Sequence, residues 1–322
     1  MKKISLVIPA YHEEESLPYF FDKVNPIVDS LKEKYEFELI FVTDMPDEGT
    51  YNLLLQRQEN QNNIVLVRLS RSFGHEEAVQ AGLKISKGDA VIPLDSDLQD
   101  DPNVIPLMIE KWEEGFDVVN GKRSSRQEKG LSKLFVNTFY KMFHKWSKKM
   151  KIPTNVGDFR LLDRKVVDEI IKLNEKYSVL KIEVPYVGFK STEVEYVRKD
   201  RVGGKTHYKK SALFKNAFDY FTVISDKMLT QVFKLGLISG LLSLFSIITE
   251  VVLFILVKCN VMSGISNLGF AVWLIINVIV LLFAFIEGSI FIVGGYTYRS
   301  YLESNNRPSY IIESVKYNNK EK

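Results

Sequence analysis

The sequence predicts an α/β protein: a mostly parallel, Rossmann-like sheet with helices on both faces, followed by amphipathic interface helices and two membrane-spanning helices. Three observations predict it. Apolar, β-branched runs alternate with helical patterns through the first half of the chain. Two long apolar stretches follow each other near the C-terminus. Lys and Arg crowd the first 234 residues and then nearly vanish until Arg299.

The strand-like runs are Lys3–Pro9, Phe37–Val42, Ile64–Leu69 and Ala90–Leu94, with another near Phe116–Val119. Helical patterns lie between them, at about Glu14–Lys34, Glu48–Asn60, His75–Ser86 and Val104–Glu114. Strand–helix alternation of this kind builds a parallel sheet covered on both faces. Ligands then bind beyond the carboxyl ends of the strands. The segments to watch are Pro9–Glu15, Thr43–Asp47, Ser70–Gly74 and Asp95–Asp101.

Composition narrows the function. The 322 residues suffice for one large domain plus an appendage. A net charge of +3 argues against bulk attraction to nucleic acid. The single cysteine, Cys259, permits no intrachain disulfide and no cysteine metal cluster. A signal peptide is the alternative at the N-terminus, but the run Ile4–Pro9 is short and Glu13, Glu14 and Glu15 follow at once. A first strand is the better reading, with the catalytic part in the cytoplasm. A nicotinamide-binding domain would want Gly-x-Gly-x-x-Gly after that strand, and the turn here has no glycine.

The apolar stretches are Leu235–Val257, with one charge at Glu250, and Leu268–Gly294, with one at Glu287. At about 1.5 Å per residue each is long enough to cross a core of about 30 Å. The connecting loop Lys258–Asn267 holds one Lys, while Lys227, Lys234, Arg299 and Arg307 flank the pair. The positive-inside rule puts both flanks in the cytoplasm, giving a multi-pass protein of the cytoplasmic membrane. Carboxylates within a span are functional candidates or interhelical hydrogen-bonding groups. Basic amphipathic patterns at Gly130–Lys151 and Ser211–Met228 suit an anionic membrane surface. An ordinary helix packed on the domain is the alternative for each. The expected division is a catalytic domain over 1–210, juxtamembrane amphipathic helices over 211–234, two spans over 235–294 and a cytoplasmic tail over 295–322.

The strongest local signal is Asp95-Ser96-Asp97-Leu98-Gln99-Asp100-Asp101, at the end of the fourth strand. Residues two apart on an extended chain point the same way, so Asp95 and Asp97 can converge. Paired carboxylates repel unless a cation lies between them, and oxygen ligands suit Mg²⁺ or Mn²⁺. The plainer alternative is an acidic turn capping the helix that starts at Val104.

Several motifs together carry a resemblance: Val7-Ile-Pro-Ala-Tyr-His-Glu-Glu-Glu15, Ser70-Arg-Ser-Phe-Gly-His-Glu76, the Asp-Ser-Asp-Leu-Gln-Asp run, Gly157-Asp-Phe-Arg160 and Arg201-Val-Gly-Gly-Lys-Thr-His-Tyr208. In this order they resemble family 2 glycosyltransferases of the polyprenyl-phosphate type. That group includes dolichol-phosphate mannose synthases and bacterial undecaprenyl-phosphate hexosyltransferases, and the two C-terminal spans match its bacterial branch.

The resemblance implies a GT-A fold, a nucleotide-sugar donor, a polyprenyl phosphate acceptor and inversion at the anomeric carbon. It implies that Pro9, Tyr11 and Glu13 touch the nucleoside and that Asp44 serves the base. It puts Asp95 near the sugar and diphosphate, and makes Asp97 and Gln99 metal ligands. Arg123 falls in the phosphate pocket and Asp158 near the acceptor. Arg201, Lys205 and His207 fall where phosphates are contacted. Family relatives commonly assemble, so a homo-oligomer is expected.

The chain also departs from the family pattern. Thr43-Asp44-Met45-Pro46 stands where the family usually reads Asp-Asp-Gly-Ser, and Thr206 and His207 replace Ser and Lys. Two rivals remain at this point. A processive synthase would carry a Gln-x-x-Arg-Trp motif and more spans. A catalytically silent membrane scaffold draws support from the Thr43–Pro46 departure alone.

Overall fold

The computed structural model describes residues 1–124, 153–173, 175, 179–198, 227–259, 267–305 and 307–318. The basic segment 130–151 and nearly all of 211–228 lie outside the described residues, as do Arg201, Lys205 and His207. Two compact units make up the chain. One joins Met1–Tyr208 to Arg307–Lys322, and the other is Lys209–Asn306.

The first unit is built on an eight-stranded sheet. In chain order its strands are β1 (Lys2–Ala10), β2 (Tyr35–Asp44), β3 (Ile64–Leu69), β4 (Ala90–Pro93), β5 (Val118–Arg123), β6 (Val156–Asp163), β7 (Ser191–Tyr196) and β8 (Ile312–Tyr317). Across the sheet the order is β7-β5-β6-β4-β1-β2-β3-β8. The pairs β1–β2, β1–β4, β2–β3 and β5–β7 are parallel. β6 runs antiparallel to both β4 and β5, and β8 antiparallel to β3.

Side-chain alternation along the central strands feeds two cores. Ile4, Leu6 and Ile8 of β1 and Phe37, Leu39 and Phe41 of β2 enter one face. Val7, Ile40 and Val42 enter the other. Burial on both faces explains why these strands read as nearly continuous apolar runs. The first core packs under α1 (Leu17–Leu31) and α4 (Ile105–Glu113), and the second under α3 (His75–Ile85), α5 (Arg164–Leu173) and α6 (Leu180–Val187). The remaining soluble helix, α2 (Glu48–Asn60), is capped by Asp47, whose side chain accepts from Thr50 N.

Sequence and structure agree closely on α2, α3 and α4. The first helix starts later than expected, at Leu17 rather than Glu14. Glu13 O accepts from both Ser16 N and Leu17 N, so Glu14 and Glu15 form a turn, and Pro18 lies in the first helical turn.

The segment 295–322 is not simply a tail. Its β8 pairs with β3, with Leu66 opposite Lys316 and Val67 opposite Val315. Gln58 clamps the joint, donating from Nε2 to Ile64 O and Lys316 O at 2.9 Å each. β8 thereby replaces β3 as the edge strand on this side of the sheet.

The second unit contains α7 (Lys227–Lys258, 32 residues) and α8 (Asn267–Ser304, 38 residues). Both are long and apolar enough to cross a membrane, over Ile238–Lys258 and Ala271–Tyr298. Residues 227–234, expected in a separate juxtamembrane helix, are continuous with α7. Glu250 is buried and neither of its carboxylate oxygens has a hydrogen-bond partner. Glu287 is exposed.

Candidate functional site

The loops at the carboxyl ends of β1, β2 and β4 meet where β1 separates β2 from β4. The first two are stitched together. Asp47 Oδ2 accepts from His12 N at 2.6 Å, and Thr50 Oγ1 accepts from Glu13 N at 3.0 Å. Glu13 also accepts a hydrogen bond from Ser16 Oγ. Pro9 lies at the end of β1, where its carbonyl accepts from Ser96 Oγ at 3.5 Å, and Tyr11 is exposed beside the His12 ring. Asp44 ends β2, buried, with Oδ1 lacking a hydrogen-bond partner. Burial raises its pKa, a hydrogen bond from Ser72 opposes the rise, and Asp47 adds to it.

The acidic loop after β4 keeps Asp95 close enough to Asp97 to feel its charge, but strand alternation is not what brings them together. β4 ends at Pro93, so the alternation of an extended chain no longer governs Asp95 and Asp97. Asp97 is buried, and its Oδ1 accepts from Gln99 N at 3.0 Å. Asp95 meets His75 Nε2 at 3.6 Å. Both of those side chains keep 37% of their surface open, so water tempers the pairing. Desolvation pushes Asp95 up to about 6, with Asp97, Asp100 and Asp158 adding to the rise and His75 opposing it. The capping role falls to Asp101, whose side chain accepts from Asn103 N at the start of a short 3₁₀ turn.

The same loop is tied to the far half of the sheet. Asp100 is buried, accepts from Tyr196 Oη, and lies 3.5 Å from Arg123 Nη2. Arg123 Nε also donates to Tyr196 Oη at 3.2 Å. Burial works against the Arg123 guanidinium, but Asp100 and Tyr196 outweigh it and raise its pKa. Gln99 Oε1 accepts from Arg198 at 2.6 Å.

Asp158 reaches the site from β6. It lies close enough to Asp95 and His75 for its charge to raise the pKa of both. Lys181 Nζ lies 3.4 Å from Asp158 Oδ2, while Oδ1 has no hydrogen-bond partner among the described residues. Desolvation favours the protonated form of Asp158, but Lys181, Arg160 and His75 overcome it and hold the pKa below the usual carboxylate value. Glu76 responds in the opposite direction. Burial and the Asp158 charge push it up to about 8.

Sequence reasoning missed this inner layer of His75, Glu76, Arg160 and Lys181, together with Asp100, Tyr196 and Arg198. His75, Glu76, Asp100 and Arg160 did stand inside quoted motifs, without a role assigned to them. Lys181, Tyr196 and Arg198 depend on pairings between distant segments. It also missed a cluster in the first two loops: His12, Glu14 and Asp47 offer ligand atoms within 4.8 Å of one another.

A divalent cation can be tested against the donors present. Asp95, Asp97 and Gln99 supply only hard oxygens, which suits Mg²⁺ or Mn²⁺. The donor types fit. In the structure Gln99 Oε1 is engaged by Arg198, so Gln99 would exchange that partner on binding an ion.

The acidic rim and the strand order together mark the class, a glycosyltransferase of the GT-A architecture. Comparison with known proteins agrees. Residues 5–171 match the family model described as Glycosyl transferase family 2. The chain is 35% identical over 311 residues to the uncharacterized glycosyltransferase YkcC of Bacillus subtilis, covering 96% of this chain and 93% of that one. It is 35% identical over 315 residues to the prophage bactoprenol glucosyl transferase homolog of Escherichia coli, covering 98% and 99%. It is 36% identical over 315 residues to the bactoprenol glucosyl transferase of Shigella phage SfV, again covering 98% and 99%. The chain belongs to glycosyl transferase family 2.

Proposed function

We propose that this enzyme moves a hexose from a nucleotide diphosphate to a polyprenyl phosphate at the cytoplasmic face of the membrane, with a divalent cation bound at Asp97 and Gln99. The observation that carries the reading is the joining, in one chain, of an acidic rim on a GT-A sheet to two long apolar helices. Relatives matched over nearly their whole length are named for glucosyl transfer to bactoprenol, which makes glucose the first sugar to test.

The chain path supports the topology. Segments before α7 and after α8 both contribute strands to one sheet, so both must lie in the same compartment. Two crossings satisfy that condition and agree with the positive flanks.

The acceptor phosphate is already anionic near pH 7, with a second pKa of roughly 6 by analogy with phosphoserine. Its oxygen attacks the anomeric carbon as the bond to the diphosphate breaks, inverting the configuration. No strong base is required, and Asp158, held ionised, orients groups on the acceptor side. A bound divalent cation supplies charge for the departing diphosphate. Arg123 lies at the edge of that region, and Arg201, Lys205 and His207 add further donors. Pro9, Tyr11, Glu13 and Asp44 frame the nucleoside, where the unpartnered Asp44 Oδ1 would accept from the base.

The test is a panel of radiolabelled nucleotide-sugars given to membranes containing the enzyme and a polyprenyl phosphate. Label should pass into the lipid extract. Asp97→Ala should lower transfer by at least about a hundredfold while the protein stays in the membrane fraction. Donor binding with no turnover on any lipid would instead favour the scaffold, and full activity in Asp97→Ala would remove the metal assignment.

A further inference from the structure

We propose that Lys181 binds the phosphate of the lipid acceptor, holding it against Asp158 for attack. This inference rests on the polyprenyl-phosphate reading above.

The argument begins with charge. An acceptor phosphate brought beside an ionised Asp158 meets a like charge, so a cation must lie in contact with both. Arg160 is close but only 1% exposed, and it is committed to Leu180 O and Gly157 O. Arg123 is committed to Asp100 and Tyr196. His75 faces Asp95. Among the described residues, Lys181 is the cation that pairs with Asp158 while part of its side chain stays open, 38% exposed against 18% for Asp158.

An ammonium group has three donors, and one is enough for the carboxylate. Lys181 can therefore hold Asp158 Oδ2 and a phosphate oxygen at once. α6 fixes its position, since Arg160 Nη1 donates to Leu180 O in the first turn of that helix at 3.4 Å. Below it, Glu183 is buried and accepts from Gln80 at 2.8 Å, which anchors the helix to α3. A rigid cation on the rim beside the acceptor carboxylate is the element that the sequence motifs did not supply.

The experiment is steady-state transfer by the full-length enzyme in detergent, with a short-chain polyprenyl phosphate as acceptor. Lys181→Met should raise KM for the lipid by about 10- to 100-fold, the range expected for one charge-assisted hydrogen bond. KM for the nucleotide-sugar should stay within about twofold of wild type. Lys181→Arg should recover most of the lipid KM. An unchanged donor KM also serves as the control for folding. A donor KM that rises while the lipid KM holds would place Lys181 on the donor diphosphate and overturn the proposal. So would a fall in kcat with a shifted pH profile and an unmoved lipid KM, because that pattern belongs to a residue that only tunes Asp158. A wild-type enzyme inactive on every polyprenyl phosphate would remove the underlying reading along with it, whereas an active wild type matched by Lys181→Met would remove this inference alone.

Discussion

The two units treat the same side chains in opposite ways. In the sheet domain Phe20, Phe41 and Phe159 are among the largest fully buried side chains. In the helical unit Phe245, Trp273 and Phe291 are 66%, 65% and 67% exposed. Burial of apolar surface is worth about 25 cal/mol per Å² only when the alternative is water. The first unit buries its rings to escape water. The second gains nothing by doing so if its surroundings are already hydrocarbon. The contrast is therefore between two solvents, and each substitution below probes one side of it.

The largest difference should come from paired aromatic truncations. Phe41→Ala should cost the sheet domain about 3–5 kcal/mol, read as a drop in the urea midpoint. Phe291→Ala should change stability by less than about 0.5 kcal/mol in lipid or detergent. Equal costs would mean that Phe291 is packed in an interface rather than facing lipid. Next is Ile248→Arg, on an exposed face of α7. A charge at the centre of a span costs about 2.5–3.5 kcal/mol by insertion scales, so alkali-resistant membrane retention should fall. Unchanged retention would put α7 against water.

The remaining test lies inside the sheet domain, at Glu76. A carboxyl with a raised folded pKa binds its proton more tightly folded than unfolded. Its contribution to stability is fully present below the unfolded value of 4.5 and is lost as pH rises towards about 8. Glu76→Gln removes that loss. The variant should match wild type near pH 4 and exceed it at pH 8 by a few kcal/mol, measured by urea titration at both pH values. A constant difference across that range would show that Glu76 is not protonated in the folded state.

Legibility in the sequence followed locality. Strands β1 to β4 and helices α2 to α4 announce themselves by period, because each buries a face and its pattern lies within one short window. The Asp95–Asp101 loop was legible for the same reason. β6 and β8 were not, since their partners are distant in sequence and antiparallel. Lys181 could not be joined to Asp158, nor Arg198 to Gln99, from spacing alone. Even the legible loop was only partly read: the strand ends two residues before Asp95, so alternation does not bring Asp95 beside Asp97, and His75 also faces that carboxylate.

The return of β8 to β3 has a consequence for biosynthesis. A ribosome delivers residues in order, so the eighth strand emerges only after both long helices have been made. Until then β3 presents an open row of backbone donors and acceptors. Completion of the enzyme's outer edge thus comes after both long helices have been made. A chain stalled before that point would carry an unfinished border, available to chaperones or to proteolysis.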